Sequence, residues 1–230
     1  AGALAVSAAL RRPASAPPEP GPVARIVSLA PSTTETLYAL GLGDRLVGVC
    51  DYCEYPPEAR TKTRLGGYYT PNFEALLQAR PDLVVLLPEH RPVRDKIREL
   101  GLRTLDVDHR SVGGILDSLK AVGEACGTPE RADALRREIE ARMERAKARA
   151  GGRRRPRILI SVGRAMHEGG VLRITTCGRG GFYDNLLEMA GGVNAYEGPV
   201  PYPALSPEGV LALKPDFIIE IMPDLREKGV

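Results

Sequence analysis

Histidine beside a carboxylate is the first combination in this sequence that could do chemistry. The chain has three histidines, His90, His109 and His167, and each stands next to an Asp or Glu. Such residues serve metal-dependent hydrolases, but no two of these histidines have the i, i+4 spacing of the H-E-x-x-H helix. The sequence contains neither a G-x-S-x-G nucleophile turn nor a G-x-x-x-x-G-K-[ST] phosphate loop. A binding protein is therefore favoured over an enzyme, and a metal-dependent hydrolase stays as the alternative from another class.

The cysteines are the second set of reactive side chains. Cys50 and Cys53 have C-x-x-C spacing, whereas Cys126 and Cys177 are isolated. No second pair and no nearby histidine completes a zinc set, so no metal site is predicted. A redox pair stands at the start of a helix, but here a Pro-Pro pair follows. We expect small buried residues or free thiols, although an exported chain could join two of them.

Tyrosines and arginines are concentrated in loops. Tyrosines occur in GGYYTP (66–71) and in GPVPYPALSP (198–207), and basic residues, among them Arg164 and Arg179, follow in predicted loops of the second half. Aromatic rings bury a large planar area at low entropic cost, and guanidinium groups pair with anions. If the two tyrosine loops face each other, they can line a shared cleft.

Each tyrosine loop leads into the same kind of segment. PNFEALLQARPDLVVLLP (71–88) and LSPEGVLALKPDFIIEI (205–221) both contain a helix cap, a Glu in the first turn, a basic residue, Pro-Asp and an apolar strand. Asn72 and Ser206 are the predicted caps, since their side-chain oxygens can accept an N–H of the first turn. Glu74 and Glu208 each precede the Asp of their segment by eight positions.

The elements that must position these residues alternate along the chain. Apolar strands separated by helices and short loops indicate a parallel sheet covered on both faces. Ser32 to Glu35 reads as a capping box that opens the first helix. Residues 128–150 lack Gly and Pro except at the first turn, and their apolar residues share one face, which predicts a helix about 30 Å long. The chain therefore reads as an α/β lobe, a long helix and a second α/β lobe.

Composition excludes several classes of protein. The chain is 43% hydrophobic and 27% charged, as in a globular protein with a substantial core. The net charge of +3 is too small to indicate nucleic-acid binding. No run approaches the roughly 18 to 20 apolar residues of a membrane span. The Ala-rich start, with ASA at 14–16, is typical of the end of a secretory signal.

Several segments together resemble a known family. They are RIVSLAPSTTETLYALGLGDRLVGV with YPPEA, NFEALLQARPDLVV, GGFYDNLLEMAGGVNAY and PVPYPALSPEGVLALKPDFII. In this order they resemble the periplasmic substrate-binding proteins of ABC importers for vitamin B12, ferric siderophores and haem, from about residue 24 to 222. The likeness is nearest to the vitamin B12 binders, mainly through DYCEYPP and PVPYP.

The resemblance implies an α/β fold of two lobes with central, mostly parallel sheets joined by one long α-helix. The expected units are a leader or signal-peptide remnant (1–22), an N-terminal lobe (23–127), the linking helix (128–151) and a C-terminal lobe (152–230). Members of this family continue after the strand at 217–221 with a further strand and helices. The resemblance therefore implies a C-terminal lobe that is incomplete here.

The resemblance also implies a ligand and residues that contact it. Tyr52, Tyr68 and Tyr202 stand at the positions of aromatic ligand contacts, and Tyr69 is a further candidate. Arg164 could pair with an anionic group of the ligand. His167 could ligate its metal centre. The expected ligand is cobalamin or a related corrinoid, with a ferric siderophore or haem as the alternative; no cofactor intrinsic to the protein is expected, only a bound cobalt corrinoid or iron chelate.

The family's partner is the membrane permease of the importer with its ATPase. An acidic residue on each lobe docks onto permease arginines, and Glu74 and Glu208 stand at those positions. The purely structural alternative is that each Glu complements the dipole of its own helix, an interaction worth about 0.3 to 1 kcal/mol. The resemblance further implies a monomer that is exported to the periplasm and binds no nucleic acid.

Overall fold

The computed structural model describes residues 22–152, 154–167 and 170–221. The predicted leader, apart from Pro22, lies outside these residues. The elements are β1 (Ile26–Ser28), α1 (Pro31–Ala39), β2 (Leu46–Val49), α2 (Phe73–Gln78), β3 (Leu83–Leu86), α3 (Arg91–Glu99), β4 (Thr104–Asp106), α4 (Val112–Ala125), α5 (Pro129–Ala150), β5 (Arg157–His167), β6 (Gly170–Thr176), α6 (Phe182–Met189), β7 (Val193–Asn194), β8 (Ala204–Leu205), α7 (Pro207–Leu213) and β9 (Phe217–Glu220).

The N-terminal lobe is built on a parallel sheet. Its strands, as far as the structure describes them, lie in the order β2-β1-β3-β4. The central strands β1 and β3 are buried along their whole length, which explains why they read as continuous apolar runs. Each side of the sheet carries its own apolar core, so helices cover both faces. The carboxyl ends of all these strands face the same edge, and the loops that follow them meet there.

The C-terminal lobe is built on a mixed sheet. Its central strand β5 pairs in parallel with β7 and β9 and in antiparallel fashion with β6, which in turn pairs with β8. The predicted α/β class and two-lobe arrangement are confirmed. The sequence did not predict that β5 extends beyond Gly163, because Arg164 and His167 interrupt the apolar pattern. Arg164 and His167 therefore lie in strand β5 and not in the loop predicted for them, which is a correction.

A 22-residue helix, α5, runs between the two lobes. At 1.5 Å per residue it is about 33 Å long. Near its start, Leu135 and Ile139 pack against the core of the N-terminal lobe. At its end, Ala150 contacts Gly191, which follows α6 of the C-terminal lobe. The helix thus contacts one lobe at each end. Within the described ranges, no helix combines the length and apolarity needed to cross a membrane.

The duplicated segment has the same geometry in both lobes. Asn72 caps α2 by accepting the N–H of Ala75 at 3.1 Å, and Ser206 caps α7 by accepting the N–H of Gly209 at 3.2 Å. Both predicted caps are confirmed. Each helix is followed by a basic residue with positive φ, Arg80 at 45° and Lys214 at 48°. This left-handed residue turns the chain into Pro-Asp.

The Asp of each segment then anchors the first strand of its own lobe. Asp82 Oδ2 accepts the N–H groups of Ala24 and Arg25 at 2.9 and 2.8 Å. Asp216 Oδ2 accepts the N–H of Arg157 at 2.7 Å. The strand after each Asp pairs in parallel with the strand that it anchors, β3 with β1 and β9 with β5. Pro-Asp is therefore a structural device that recurs because both lobes are assembled in the same way.

One predicted helix start is wrong. The capping box at Ser32 to Glu35 does not form, because α1 begins two residues earlier than predicted, at Pro31, with Ala30 and not Ser32 as its cap residue. Proline is suited to the first helical position, since its φ is already helical and the N–H it lacks would have no partner there. Thr33, inside the helix, instead hydrogen-bonds the carbonyl oxygen of Ala30 at 3.0 Å.

Candidate functional site

Two adjoining cavities lie between the lobes and form what we call the interlobe cleft. Their volumes are about 370 and 470 Å³, and they share Glu89, Arg110, Phe182, Tyr183 and Tyr202 as lining residues. The other residues that line the cleft are Ser32, Tyr68, Leu87, Asp108, His109, Ser111, Ile115, Cys177, Gly178, Arg179, Gly180, Gly181 and Pro201. The walls come from loops that follow strands of both sheets, which is where an open α/β sheet offers binding residues.

Tyr68 is the aromatic face of the N-terminal wall. Its loop leaves β2 and turns at Gly66, where φ is +95° and a Cβ would lie 2.8 Å from Asn72 N, so only glycine fits. The Tyr68 ring packs 4.6 Å from the ring of His90 and 4.7 Å from that of Tyr69, measured between centroids. Burial raises the pKa of the Tyr68 phenol, so the ring presents a neutral hydroxyl at neutral pH.

His90 supports Tyr68 from below. The imidazole is only 1% exposed, and its Nδ1 accepts the N–H of Leu87 at 2.9 Å. Desolvation by burial lowers the pKa of this histidine, and the smaller effect of Glu89 opposes it. A neutral, buried ring is consistent with an apolar support and disfavours a role for His90 in binding anions.

The C-terminal wall consists of two loops bonded to each other. Gly178 N–H donates to Pro201 O at 2.7 Å, and Thr176 N–H donates to Pro203 O at 3.0 Å. A Cβ on Gly178 would lie 2.2 Å from Val200 O, so the close approach of these loops requires glycine. Tyr202 projects from the second loop, and Phe182 and Tyr183 begin α6 beside it. Burial raises the pKa of Tyr202 as well.

The two walls are also joined directly. Phe182 N–H donates to the carbonyl oxygen of Arg110 at 2.7 Å. Val112 N–H donates to Asn185 Oδ1 at 3.1 Å. The start of α4 in one lobe therefore meets the start of α6 in the other. This contact closes the floor of the cleft and sets the spacing of its aromatic side chains.

The charges of the cleft nearly balance. Glu89 and Asp108 are acidic, and Arg110 and Arg179 are basic. Both carboxylate oxygens of Asp108 accept hydrogen bonds from Arg110, among them Nε to Oδ1 at 2.9 Å and Nη2 to Oδ2 at 2.5 Å. This pairing lowers the pKa of Asp108, so both partners stay charged and neutralise each other. No ion pair of Arg179 is found among the described residues, and its guanidinium is exposed to the cleft.

His109 also lines the cleft. Its Nδ1 lies 2.9 Å from Ser32 Oγ, and its Nε2 is buried without a hydrogen-bond partner among the described residues. Desolvation lowers the pKa of His109. Across the parts of the chain that the structure describes, no group of three or more His, Cys, Asp and Glu side chains could hold a metal ion.

The structure brings together only some of the residues predicted to bind a ligand. Tyr68 and Tyr202 line the same cavity from opposite lobes. Tyr69 packs edge-on against Tyr68 but lines neither cavity. Tyr52 is 64% exposed on the turn after β2 and lines neither cavity. Arg164 pairs with Glu220 at 3.1 Å on the face of the second sheet. The side chain of His167 lies outside what the structure describes.

Glu74 and Glu208 occupy matching places in α2 and α7. Each is the second residue of its helix and is exposed, and no ion pair of either is found within the described part of the chain. Backbone N–H groups at the helix start and Ser206 lower the pKa of Glu208. Both carboxylates are exposed and open to a partner.

Among the lining residues that sequence reasoning missed are Arg110, Phe182 and Tyr183. Arg110 lies in DVDHRS, a segment whose place after a strand end marks it as a ligand-contact region. Phe182 and Tyr183 occur in GGFYDNLL, where they read only as the start of a helix. They become cleft residues through the bond from Phe182 to Arg110, a contact that local sequence does not encode.

Three comparisons with known proteins agree with this geometry. A family model described as periplasmic binding protein matches residues 26–224. A vitamin B12-binding protein of Vibrio cholerae serotype O1 is 32% identical over 203 residues, which cover 87% of this chain and 71% of that protein. Among solved structures, the periplasmic vitamin B12 binding protein of Vibrio cholerae superposes with a TM-score of 0.76 at 30% identity. The match covers 90% of this chain and 79% of the chain in that structure. A periplasmic heme-binding protein from Roseiflexus sp. RS-1 has a TM-score of 0.77 at 28% identity, with 90% and 80% covered.

Proposed function

The chain belongs to the periplasmic binding protein family, and from this premise we propose that it captures cobalamin or a related corrinoid between its lobes for an ABC importer. The observation that carries the proposal is the aromatic cleft. Tyr68 comes from one lobe, and Phe182, Tyr183 and Tyr202 come from the other. Rings on two facing walls can pack against both sides of a large, flat macrocycle, which buries much apolar area.

The charge of the cleft favours a corrinoid over more anionic ligands. Two acidic and two basic side chains line it, and Arg110 is already neutralised by Asp108. Arg179 is then the cation available to a ligand. The edge of a corrinoid carries mostly neutral amides, whereas haem carries two propionates and ferric siderophores are often polyanionic. A cleft with one available cation matches a ligand of low net charge better.

Haem or a ferric siderophore is the second candidate. It is favoured by the phenols of Tyr68 and Tyr202, which could ligate iron, and by the likeness to structures of heme-binding proteins. Burial raises the pKa of both phenols and so works against the phenolate that binds ferric iron well. This makes the corrinoid the first candidate.

A titration of the purified protein with cyanocobalamin, haem and a ferric catecholate siderophore tests the proposal. Calorimetry should show saturable binding of one cyanocobalamin and weaker or no binding of the two iron chelates. Tyr55→Ala serves as a matched control, because Tyr55 is exposed and lies on the N-terminal lobe outside the cleft lining. Saturable haem binding without cyanocobalamin binding would replace the corrinoid by haem. Binding of none of the three would reject the metal-chelate class.

The remaining parts of the proposal concern partners and place of action. We propose that Glu74 and Glu208 contact basic residues of the importer's permease, one from each lobe. Their exposure, their matching helix positions and the duplicated geometry around them support this. The protein would act in the periplasm as a monomer and would catalyse no reaction. The metal would belong to the bound ligand and not to the protein.

A further inference from the structure

Cys50 and Cys53 form a pair of nucleophilic side chains that the ligand site does not use. The N–H of Cys53 donates to the carbonyl oxygen of Cys50 at 3.2 Å, so the two residues are the ends of a four-residue turn. Their sulfur atoms lie 3.1 Å apart. Both side chains are fully buried, and both are free thiols in the structure. The pair is thus held in contact without a bond.

The surroundings of the pair favour a thiolate on Cys53. Thr34 Oγ1 donates a hydrogen bond to Cys53 Sγ at 3.2 Å. Arg64 Nη1 donates to the carbonyl oxygens of both Cys50 and Cys53 at 3.0 Å, which brings a positive charge to the turn. The hydrogen bond from Cys50 to the Cys53 sulfur lowers the pKa of Cys53 and raises that of Cys50. Cys53 is therefore the first nucleophile in a thiol–disulfide exchange, and Cys50 is the second.

The geometry needs little change for a bond to form. A disulfide has its sulfurs about 2.05 Å apart and its Cα atoms within about 7 Å, and the ends of a hydrogen-bonded turn meet the second condition. We propose that Cys50 and Cys53 form an intramolecular disulfide that closes the Tyr52 turn. The proposal rests on the proposed function in one respect, because the periplasm is the oxidising compartment in which the bond would persist.

The reaction is a two-electron thiol–disulfide exchange. The Cys53 thiolate attacks one sulfur of a disulfide oxidant, such as glutathione disulfide or an oxidised protein dithiol, and the first thiolate leaves. Cys50 then loses its proton and attacks the Cys53 sulfur of the mixed disulfide, which releases the second thiol. Two protein thiols are oxidised and one disulfide is reduced to two thiols. Because both sulfurs are buried, the exchange occurs when the turn opens or before folding is complete.

The bond would act on the wall of the cleft through the backbone. Tyr52 lies inside the four-residue turn and is exposed. Asp51 N–H donates to Gly66 O at 3.0 Å, which ties the turn to the loop that carries Tyr68. A cross-link over these four residues removes open conformations of the turn. The oxidised protein should therefore hold Tyr52 in a narrower set of positions next to the Tyr68 loop.

Peptide mapping provides the direct test. Trypsin cuts after Arg45 and Arg60, so Cys50 and Cys53 share one peptide, while Cys126 and Cys177 fall in two others. The full chain is refolded with glutathione disulfide, alkylated and digested. The 46–60 peptide should be lighter by two hydrogen atoms and should carry no alkyl group, while the other two peptides are alkylated. The number of free thiols should fall from four to two.

Matched variants separate this pair from the other thiols. The double variant with Cys126→Ser and Cys177→Ser should still lose both of its remaining thiols on oxidation. The Cys50→Ser variant cannot form the internal disulfide, so its Cys53 should retain glutathione. Heating should show a midpoint several degrees higher for oxidised than for reduced wild type. Four surviving thiols after oxidative refolding, or a link from Cys50 to Cys126 or Cys177, would overturn the proposal. These readouts use no ligand, so a failed cobalamin titration leaves them unaffected.

Discussion

Tyr68 and Tyr202 contribute to the cleft in different ways. Tyr68 is half-buried and rests on His90, so its orientation is fixed before any ligand arrives. Tyr202 is more exposed, and its loop is positioned by the hydrogen bonds from Thr176 and Gly178. A preformed ring loses little entropy on binding, so Tyr68 should contribute more to affinity than Tyr202 does.

We predict that Tyr68→Ala weakens corrinoid binding by about 10- to 100-fold, since losing one buried ring removes about 1.5 to 3 kcal/mol. Tyr202→Ala should have a smaller effect in the same direction. Calorimetric titration with cyanocobalamin measures both, with Tyr55→Ala as the control that keeps wild-type affinity. Wild-type affinity in the Tyr68 variant would show that this wall does not contact the ligand.

His90 predicts a dependence of stability on pH. Burial lowers its pKa in the folded state below the unfolded value of about 6.5. The unfolded chain therefore binds more protons as the pH falls through that value. The resulting stability is complete above about pH 6.5 and is lost on acidification.

We expect His90→Asn to lose less unfolding free energy than wild type between about pH 8 and pH 5. An asparagine oxygen can take over the bond from Leu87 N–H without titrating. Urea denaturation measures the unfolding free energy of both proteins at the two pH values. Both proteins contain the same carboxylates, so the effect of these groups cancels when the two losses are compared. Equal losses in both proteins would assign the acid sensitivity to other groups.

At the scale of elements, the duplicated segment shows what sequence can and cannot predict. Caps, Pro-Asp and the apolar strands follow from local chemistry, so α2, β3, α7 and β9 were predicted in their places. The sequence does not distinguish the buried β3 from the exposed β9. The start of α1 was wrong, because Pro31 competes with a plausible Ser-Thr capping box and takes the first helical position. The pairing of β5 with β6 was missed, because an exposed hairpin needs no continuous apolar run.

The left-handed residues after α2 and α7 offer a test of this geometry. Arg80 and Lys214 have positive φ, where a side chain costs about 1 kcal/mol and glycine does not. We predict that Lys214→Gly raises the free energy of unfolding by up to about 1 kcal/mol and that Arg80→Gly does the same. Denaturant titration measures this.

Lys214→Ala and Arg80→Ala are the matched controls, because they remove the charge and the long side chain but keep the Cβ. They should show no comparable gain in stability. If the alanine variants gain as much as the glycine variants, charge and not backbone strain determines the stability of these turns.

For the whole molecule, the sequence predicted that two tyrosine loops share a cleft, and Tyr68 and Tyr202 do line one cavity. It could not predict that Arg110 and Phe182 meet across the lobes, since that contact depends on how the lobes are docked. The same limit applies to Tyr52, which shares a motif with ligand contacts but lies outside the cleft lining. Residue types indicated the chemistry of the site, but the packing of the two lobes determines which residues line it.

The docking proposal is also a property of the whole molecule, because it needs both lobes at once. Replacing Glu74 and Glu208 together by Gln should leave cyanocobalamin affinity unchanged and reduce ligand-stimulated ATPase activity of the reconstituted importer. Each single exchange should have a smaller effect, since an exposed ion pair contributes only about 0 to 1 kcal/mol. Glu99→Gln is a control on an exposed helix position of the N-terminal lobe. Unchanged ATPase stimulation in the double variant would remove these residues from the docking surface.

Helix α6 is attached to structures outside its own lobe at both of its ends. Its first residue, Phe182, bonds Arg110 of the N-terminal lobe, and Gly191 just after it contacts Ala150 of α5. The two attachments are separated by roughly the 12 Å length of an eight-residue helix. A body held at two separate points can turn only about the line through them. That line runs close to the axis of α6, and rotation about it would break a third attachment, the bond from Val112 N–H to Asn185 Oδ1. The contacts of α6 therefore oppose every rotation of one lobe against the other.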